Sequence, residues 1–247
     1  MLRLTIGMQT QMSRDEAQKV VSWLCPLPSS GAYVSLQNAL GRRLPGTGNW
    51  FIESNVFKDW MAARHRTIWI TGLPGSGKTV LCASAIREIL ANSTDNTAVL
   101  YFFFDHRDPS KSTHENLVMT FARQMLESNR PSICMNYAKK LYDEKANNGV
   151  RAFNHDDYVP LIESFMMLFD SIFILCDALD ESSDADDIAS TLERLHFNKV
   201  PTRLLFTSRF DLQLEHRHEA ITRRRVALAE TCSQTLSNMS RRRSKAV

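Results

Sequence analysis

Residues 68–80 of this sequence read Ile-Trp-Ile-Thr-Gly-Leu-Pro-Gly-Ser-Gly-Lys-Thr-Val and contain the pattern G-x-x-x-x-G-K-[ST]. An apolar run of strand character, residues 67–70, leads into the pattern, and apolar residues at helical spacing follow it. Glycines allow the backbone N–H groups of such a loop to form a concave anion site. The dipole of the following helix also favours a phosphate there. The stretch therefore predicts a phosphate-binding loop between a strand and a helix.

The residues of this loop have separate expected roles. Lys78 can reach the β- and γ-phosphates of a nucleotide, and the hydroxyl of Thr79 can ligate Mg²⁺. A glycine-rich turn without any ligand is the alternative, but the flanking strand, the helix and the Lys-Thr pair argue against it. The predicted nucleotide-binding residues are Gly72, Leu73, Pro74, Gly75, Ser76, Gly77, Lys78 and Thr79.

A second informative stretch, residues 171–181, reads Ser-Ile-Phe-Ile-Leu-Cys-Asp-Ala-Leu-Asp-Glu. Its apolar part predicts a buried strand that ends at Asp177, where a carboxylate can hold the Mg²⁺ of a bound nucleotide. Asp180 and Glu181 follow closely, where a general base can polarise an attacking water, and the sequence leaves open which of them has that role. The alternative interpretation is a strand that ends in an acidic loop.

A third strand-like run, residues 203–209, ends in Arg209. An arginine at the carboxyl end of a parallel strand would face the ligand crevice, and its guanidinium suits a γ-phosphate. A solvated arginine is the alternative. Residues 98–104 are apolar on both faces, which is typical of a central parallel strand. Because strands and helices alternate, the predicted fold is α/β, with three layers and a mainly parallel sheet.

Composition restricts the class of protein. Of the 247 residues 43% are apolar, which is enough for a substantial core. The formal net charge of +3 is close to balance and does not indicate that the chain as a whole binds nucleic acid. The five cysteines are widely separated and lack a C-x-x-C pair, which predicts reduced, mostly buried thiols and no disulfide framework. The scattered histidines predict no metal site. The apolar stretches are too short to span a bilayer, and no signal peptide is evident, so a soluble, cytoplasmic protein is expected.

The chain is predicted to contain three segments: a helical lead-in at residues 1–64 that covers one edge of the next domain, a nucleotide-binding domain at residues 65–230, and a disordered basic tail at residues 231–247. A fifth, edge strand could come from residues 221–229. Helices are expected near residues 13–24, 33–40, 53–63, 78–90, 114–128, 134–144, 156–169 and 187–195. The arginine clusters at residues 223–225 and 241–243 are interpreted as solvated, without specific nucleic-acid binding.

Together these stretches resemble the NACHT family of P-loop NTPases, within the signal-transduction ATPases with numerous domains. The match is closest to the fungal branch and to the nephrocystin-3-like N-terminal domain, and it covers about residues 20–210. The stretches that carry it are Gly-Leu-Pro-Gly-Ser-Gly-Lys-Thr (72–79), Tyr-Phe-Phe-Phe-Asp (101–105), Asp-Ala-Leu-Asp-Glu (177–181), Leu-Phe-Thr-Ser-Arg (205–209), and, in the lead-in, Trp-Leu-Cys-Pro (23–26) and Gly-Thr-Gly-Asn-Trp-Phe (46–51).

The resemblance implies a nucleotide switch in which ADP holds a closed form, ATP opens a self-associating form, and slow hydrolysis resets it. It implies ATP or ADP and Mg²⁺ as ligands, and signalling proteins or further copies as partners. By the same resemblance Lys78 contacts phosphate, Thr79 and Asp177 hold Mg²⁺, and Arg209 senses the γ-phosphate. Asp180 or Glu181 positions water, and the lead-in near residues 46–50 covers the adenine.

The sequence departs from the family after Arg209, because no winged-helix or further helical subdomain follows, so a truncated member is expected. ATP is favoured over GTP because no N-K-x-D stretch is present. Two alternatives remain open at this point: a nucleotide-binding module that does not hydrolyse, and a small-molecule or nucleoside kinase that uses the same loop.

Overall fold

The computed structural model describes residues 12–26, 30–64, 66–128, 131–149 and 153–228. Its four lead-in helices are α1 (Arg14–Leu24), α2 (Ser30–Gly41), α3 (Asn49–Ile52) and α4 (Asn55–Met61). They are followed by β1 (Thr67–Thr71), α5 (Lys78–Asn92), β2 (Thr97–Phe103), α6 (His114–Leu126), α7 (Pro131–Asn147), α8 (Tyr158–Met166), β3 (Ser171–Asp177), α9 (Ala185–His196), β4 (Thr202–Ser208), α10 (Leu212–Arg217), α11 (Glu219–Thr222) and β5 (Arg225–Ala227).

The five strands form one parallel sheet in the order β2-β3-β4-β1-β5. β4 therefore lies between β1, which leads into the glycine-rich loop, and β3, which ends at Asp177. The register pairs Thr71 of β1 with Ser208 of β4, so the carboxyl ends of these strands meet at one edge. The α/β class and the parallel sheet that the sequence predicts are confirmed.

Helices cover both faces of the sheet, because successive strand residues point to opposite sides. One buried cluster contains Trp69 and Phe206 with apolar residues of α1, α6, α8 and α9. The other contains Ile70 and Leu205 with apolar residues of α2, α3, α4 and α5. The three-layer prediction is confirmed. The lead-in helices, however, divide between the two faces, so the expectation that they cover one edge is wrong.

The position of β2 also differs from the prediction, because this apolar strand lies at the edge of the sheet and not at its centre. Helices bury both of its faces, which gives an edge strand the composition of a central one. Its open side is partly closed by the Gln124 side chain. The amide N–H of Tyr101 donates to Gln124 Oε1, and Gln124 Nε2 donates to the carbonyl of Tyr101, both at 2.9 Å.

Local signals explain several helix ends. Ser13 and Glu16 form the predicted capping box at α1, with reciprocal bonds of 3.0 and 3.2 Å. The helix predicted at residues 53–63 is present as the shorter α4, which begins at Asn55 because the Ser54 side chain accepts from the N–H of Phe57. The fifth strand is present at the edge but is only three residues long.

Four of the five cysteines are buried free thiols, as predicted: Cys25, Cys82, Cys134 and Cys176. Cys232 and the predicted basic tail lie outside the described residues. Among the residues that the structure describes, no helix combines the length and the apolar composition that crossing a bilayer requires.

Candidate functional site

The glycine-rich loop joins the carboxyl end of β1 to the first turn of α5. Gly75 and Gly77 have φ angles of 77° and 92°, a region that side chains strongly disfavour. A Cβ atom on Gly72 would lie 2.6 Å from Ser76 Oγ, so a side chain at this position would force Ser76 to move. The loop therefore needs its glycines for its shape. α5 begins at Lys78 without a side-chain cap from Gly77, which leaves its first N–H groups directed at the loop.

Lys78 folds back over this loop. Its Nζ atom donates to the carbonyl of Gly72 at 2.6 Å and to the carbonyl of Leu73 at 3.1 Å. The ammonium group is thereby held against the loop, close to the N-terminus of α5. A cation and a set of unpaired N–H groups in this arrangement can bind a phosphate.

Asp177 ends β3 and is 3% exposed. Its Oδ1 atom accepts a 2.7 Å hydrogen bond from the hydroxyl of Thr207, on the neighbouring strand β4. Burial raises the pKa of Asp177, and hydrogen bonds from Thr207 and Thr79 and the charge of Lys78 oppose that shift. The fold thus brings the predicted residues Lys78, Thr79 and Asp177 together from two separate stretches.

Thr207 has no predicted role in the sequence, although the run at residues 203–209 contains it. Its Oγ1 atom donates to Asp177 and accepts from the N–H of Ala178 at 2.9 Å, so it fixes both the carboxylate and the start of the next turn. The signal that could have identified it is a hydroxyl residue at the end of the strand adjacent to β3. That signal becomes readable only when the strand order is known.

The chain turns sharply after Asp177. Ala178 has the left-handed values φ 56° and ψ 48°, which a small side chain tolerates better than a large one. A 3₁₀ turn, Leu179–Glu181, follows directly. This turn sends Asp180 and Glu181 to different partners.

Asp180 pairs with Arg209, which was predicted to face the ligand crevice. The backbone N–H of Arg209 donates to Asp180 Oδ1 at 2.9 Å, and its Nε donates to Oδ2 at 2.6 Å. Hydrogen bonding and charge from Asp180 raise the pKa of Arg209. Two residues with predicted catalytic roles are therefore bonded to each other.

Glu181 instead contacts His106, a residue that the sequence did not single out. Glu181 Oε2 lies 3.1 Å from His106 Nδ1, in the loop after β2. Ligand atoms of Asp105, His106 and Glu181 lie within 4.8 Å of one another. Both oxygens of Asp105, however, accept from Arg107 at 2.9 Å, and these hydrogen bonds are the main reason why the pKa of Asp105 falls to about 2. We therefore assign no metal to this trio.

Replacing Asp177 with asparagine should stabilise the nucleotide-free protein at pH 7. Because the pKa of Asp177 is raised in the folded state, its contribution to stability is fully present below the ordinary aspartate pKa. That contribution is lost as the pH rises through the raised value. Asparagine carries no charge to bury, so Asp177→Asn should gain about 1 to 3 kcal/mol at pH 7.

The measurement is the free energy of unfolding between pH 4 and pH 8, in chelator and without nucleotide. The gain of Asp177→Asn over the parent chain should grow with pH across this window. Asp95→Asn, at an exposed position, is the matched control and should follow the parent chain. An Asp177→Asn variant that is less stable than the parent at pH 7 would contradict the assigned charge state.

Three comparisons with known proteins each find similar chains. A family described as "Nephrocystin 3, N-terminal" matches residues 46–209. The vegetative incompatibility protein HET-E-1 of Podospora anserina is 23% identical over 210 residues. That alignment covers 82% of this chain but 15% of the relative, so the chain spans only a small part of that protein.

Two solved structures are also similar. The ORC1 protein of Aeropyrum pernix in complex with DNA is 12% identical, with a TM-score of 0.46 over 84% of this chain and 48% of that one. A chain of Drosophila ORC bound to poly(dA/dT) DNA and Cdc6 is 12% identical, with a TM-score of 0.44 over 92% of this chain and 35% of that one.

Proposed function

Because this chain belongs to the nephrocystin 3, N-terminal family and is a NACHT-type P-loop NTPase domain, we propose that it binds Mg-ATP, hydrolyses it slowly and acts as a nucleotide switch. One observation carries the proposal. The buried carboxylate of Asp177 lies beside Thr79, Thr207 and Lys78 at the carboxyl edge of the sheet. Ligands of parallel α/β sheets bind at this edge.

The donor set suits Mg²⁺. Asp177 is buried, and the charge of Lys78 favours its carboxylate form, although the two side chains are not in direct contact as an ion pair among the described residues. The Asp177 carboxylate and the Thr79 hydroxyl are hard oxygen ligands, which Mg²⁺ prefers. When bound, Mg²⁺ would neutralise charge on the β- and γ-phosphates. Asp177 and Thr79 are the residues that would hold it.

The chain's own residues would divide the remaining work. The loop N–H groups and Lys78 would bind the phosphates, with Lys78 exchanging its bonds to Gly72 and Leu73 for phosphate oxygens. Glu181 or Asp180 would orient the attacking water. Arg209 would have to leave Asp180 to reach a γ-phosphate, so ATP and ADP forms would differ in this ion pair.

The base of the nucleotide would lie against the turn at residues 46–50. Gly48 has a φ angle of 84°, and a Cβ atom there would lie 3.1 Å from Leu81 Cδ2 and 3.4 Å from Ser84 Oγ on α5. Arg43 stiffens the turn, since its guanidinium donates to the carbonyl of Thr47 at 2.6 Å and also to Asn49. The close approach of Gly48 to Leu81 and Ser84 on α5, the helix that follows the phosphate loop, supports a role for the lead-in at the adenine end.

A nucleotide-binding module that does not hydrolyse is the second candidate, and the bonds between Asp180 and Arg209 favour it. If they persisted when ATP was bound, neither side chain could act on the γ-phosphate. Binding would then occur without turnover. Nucleotide-dependent self-association or recruitment of a signalling partner would follow from binding in either case.

Mg-ATP should raise the melting temperature of the purified chain, and Lys78→Ala should abolish that increase. Ligand at about a hundred times its dissociation constant stabilises by about 2.7 kcal/mol, which corresponds to roughly 5 to 10 °C for a domain of this size. Mg-ADP should act similarly and Mg-GTP less. The measurement is a thermal shift with each nucleotide.

Lys19→Ala is the matched control, because Lys19 is an exposed lysine on α1, far along the chain from the loop. It should keep the full thermal shift. Nucleotide that co-purifies with the chain is released by denaturation and identified, so that a prefilled site is recognised. A folded, nucleotide-free chain that shows no shift would refute the proposed function.

A further inference from the structure

Trp69 of β1 contacts both residues that flank Arg209 in the chain. Ser208 precedes Arg209 at the end of β4 and is buried, and Phe210 follows it and is half exposed. Trp69 itself is completely buried, and its strand is paired directly with β4. The side chain of Arg209 is different, because 63% of its surface is exposed. A mobile side chain therefore lies between two anchored neighbours.

Two consecutive hydrogen bonds join the Trp69 indole to the main chain of Arg209. Trp69 Nε1 donates to Ser208 Oγ at 2.8 Å, and Ser208 Oγ donates to the carbonyl of Arg209 at 2.6 Å. The directions of these bonds follow from the groups involved. An indole N–H can only donate, so the serine oxygen accepts from it, and the single hydroxyl proton is left for the carbonyl. The serine hydroxyl thus has one arrangement and transmits the position of the indole to Arg209.

The residue after Arg209 is held by the same indole. The ring of Phe210 stacks on that of Trp69, with centroids 5.8 Å apart and planes inclined by 27°. The Arg225 guanidinium lies 4.3 Å from the Phe210 centroid. Arg225 is paired with Trp69 in the register of β5 with β1. Two residues of adjacent strands therefore hold this partly exposed ring by stacking and by a cation–π contact.

We propose that Trp69 is a positioning residue for Arg209. Through Ser208 it fixes the main chain from which the arginine side chain extends, either to Asp180 or to the γ-phosphate of ATP. This inference rests on the proposed function, which gives Arg209 its contact with that phosphate. The carbonyl of Arg209 bonds to Ser208 and not to Asp180, so this bond can persist when the ion pair opens.

A fixed main chain matters because an arginine side chain has many rotamers, and ordering it on a ligand costs free energy. Movement of the main chain would add to that cost and weaken the contact with the γ-phosphate. ADP lacks this phosphate, so positioning of Arg209 should favour ATP and leave the affinity for ADP unchanged. The ratio of ATP to ADP affinity therefore reports positioning, whereas a purely structural defect lowers stability without changing this ratio.

The test is titration calorimetry of the full chain with Mg-ATP and with Mg-ADP. Ser208→Ala removes both bonds of the hydroxyl and should lower the ratio of ATP to ADP affinity by about 3- to 10-fold, with ADP affinity unchanged. Trp69→Phe keeps a ring in the stack but removes the N–H donor, so it should lower the ratio in the same direction.

Thr202→Val is the matched control. Thr202 is a buried hydroxyl residue at the other end of β4, and its Oγ1 donates to the carbonyl of Val200 at 3.0 Å. Its replacement should lower stability and keep the parent ratio. Ser208→Ala leaves Trp69 Nε1 buried without its acceptor, which can impair folding. The double variant Trp69→Phe/Ser208→Ala removes donor and acceptor together, and it should show the same lowered ratio.

Arg209→Ala separates this inference from the proposed function. Its ratio should already be low, and adding Ser208→Ala should lower it no further, because Ser208 acts through the arginine. A parent ratio in Arg209→Ala would refute the proposed contact with the γ-phosphate, and the inference with it. A low ratio in Arg209→Ala beside parent ratios in Ser208→Ala and Trp69→Phe would overturn the inference alone. So would an equal effect of Ser208→Ala with and without Arg209.

Discussion

Glu181→Gln should lower single-turnover ATP hydrolysis by about 10² to 10³-fold and leave nucleotide binding unchanged. Glu181 follows Asp177 by one short turn and contacts His106 through one carboxylate oxygen, Oε2. Its other oxygen has no hydrogen-bond partner among the described residues, so it is free to accept from a water. Glutamine keeps the size of the side chain but cannot take a proton. The variant should therefore lose hydrolysis and keep nucleotide binding.

Asp180→Asn is the informative comparison for this prediction. Both oxygens of Asp180 accept from Arg209, so its first task is to hold that arginine. We therefore expect Asp180→Asn to lower the hydrolysis rate by less than about 10-fold, because the substitution only weakens a charge-assisted hydrogen bond to Arg209. Lys78→Ala, measured in parallel, gives the background of contaminating activity. Unimpaired rates in both carboxylate variants would remove the assigned role, while an inactive parent chain that binds ATP would favour the module without hydrolysis.

The phosphate loop could be predicted from the sequence because its geometry is local. The strand, the turn with glycines at positive φ angles and the helix that begins at Lys78 lie within about thirteen consecutive residues, as such motifs do. The end of β3 at Asp177 can also be predicted from the sequence, because an apolar run followed by a carboxylate is a local pattern that does not depend on distant residues. The functional roles of these residues stay predictions.

Strand order could not be predicted, and the missed parts of the candidate site follow from it. β2 has the composition of a central strand because helices bury both its faces, yet only long-range packing decides which strand is the edge. Thr207 reaches Asp177 because β4 inserts between β1 and β3. His106 meets Glu181 because β2 neighbours β3. None of these three facts is present in any single stretch of sequence.

Buried packing extends across the boundary predicted between the lead-in and the nucleotide-binding domain. Trp60 on α4 is 0% exposed, and its ring packs edge to face against Phe173 of β3 with centroids 5.4 Å apart. It shares one buried cluster with Ile70, Leu175 and Leu205 of the sheet. We infer that the lead-in and the sheet unfold together, although the lead-in precedes the predicted boundary.

Trp60→Ala should therefore destabilise the whole protein by about 3 to 5 kcal/mol, the usual cost of removing a large aromatic side chain from a core. The measurement is urea unfolding followed by circular dichroism, where one transition should move to a lower midpoint with an unchanged slope. Trp60 Nε1 is buried without a hydrogen-bond partner among the described residues, so the loss reflects packing and not a broken bond.

Trp50→Ala is the matched control, because Trp50 is 40% exposed, and it should cost about 1 kcal/mol or less. Two separate transitions, of which Trp60→Ala shifts only the first, would show instead that residues 1–64 form an independent unit.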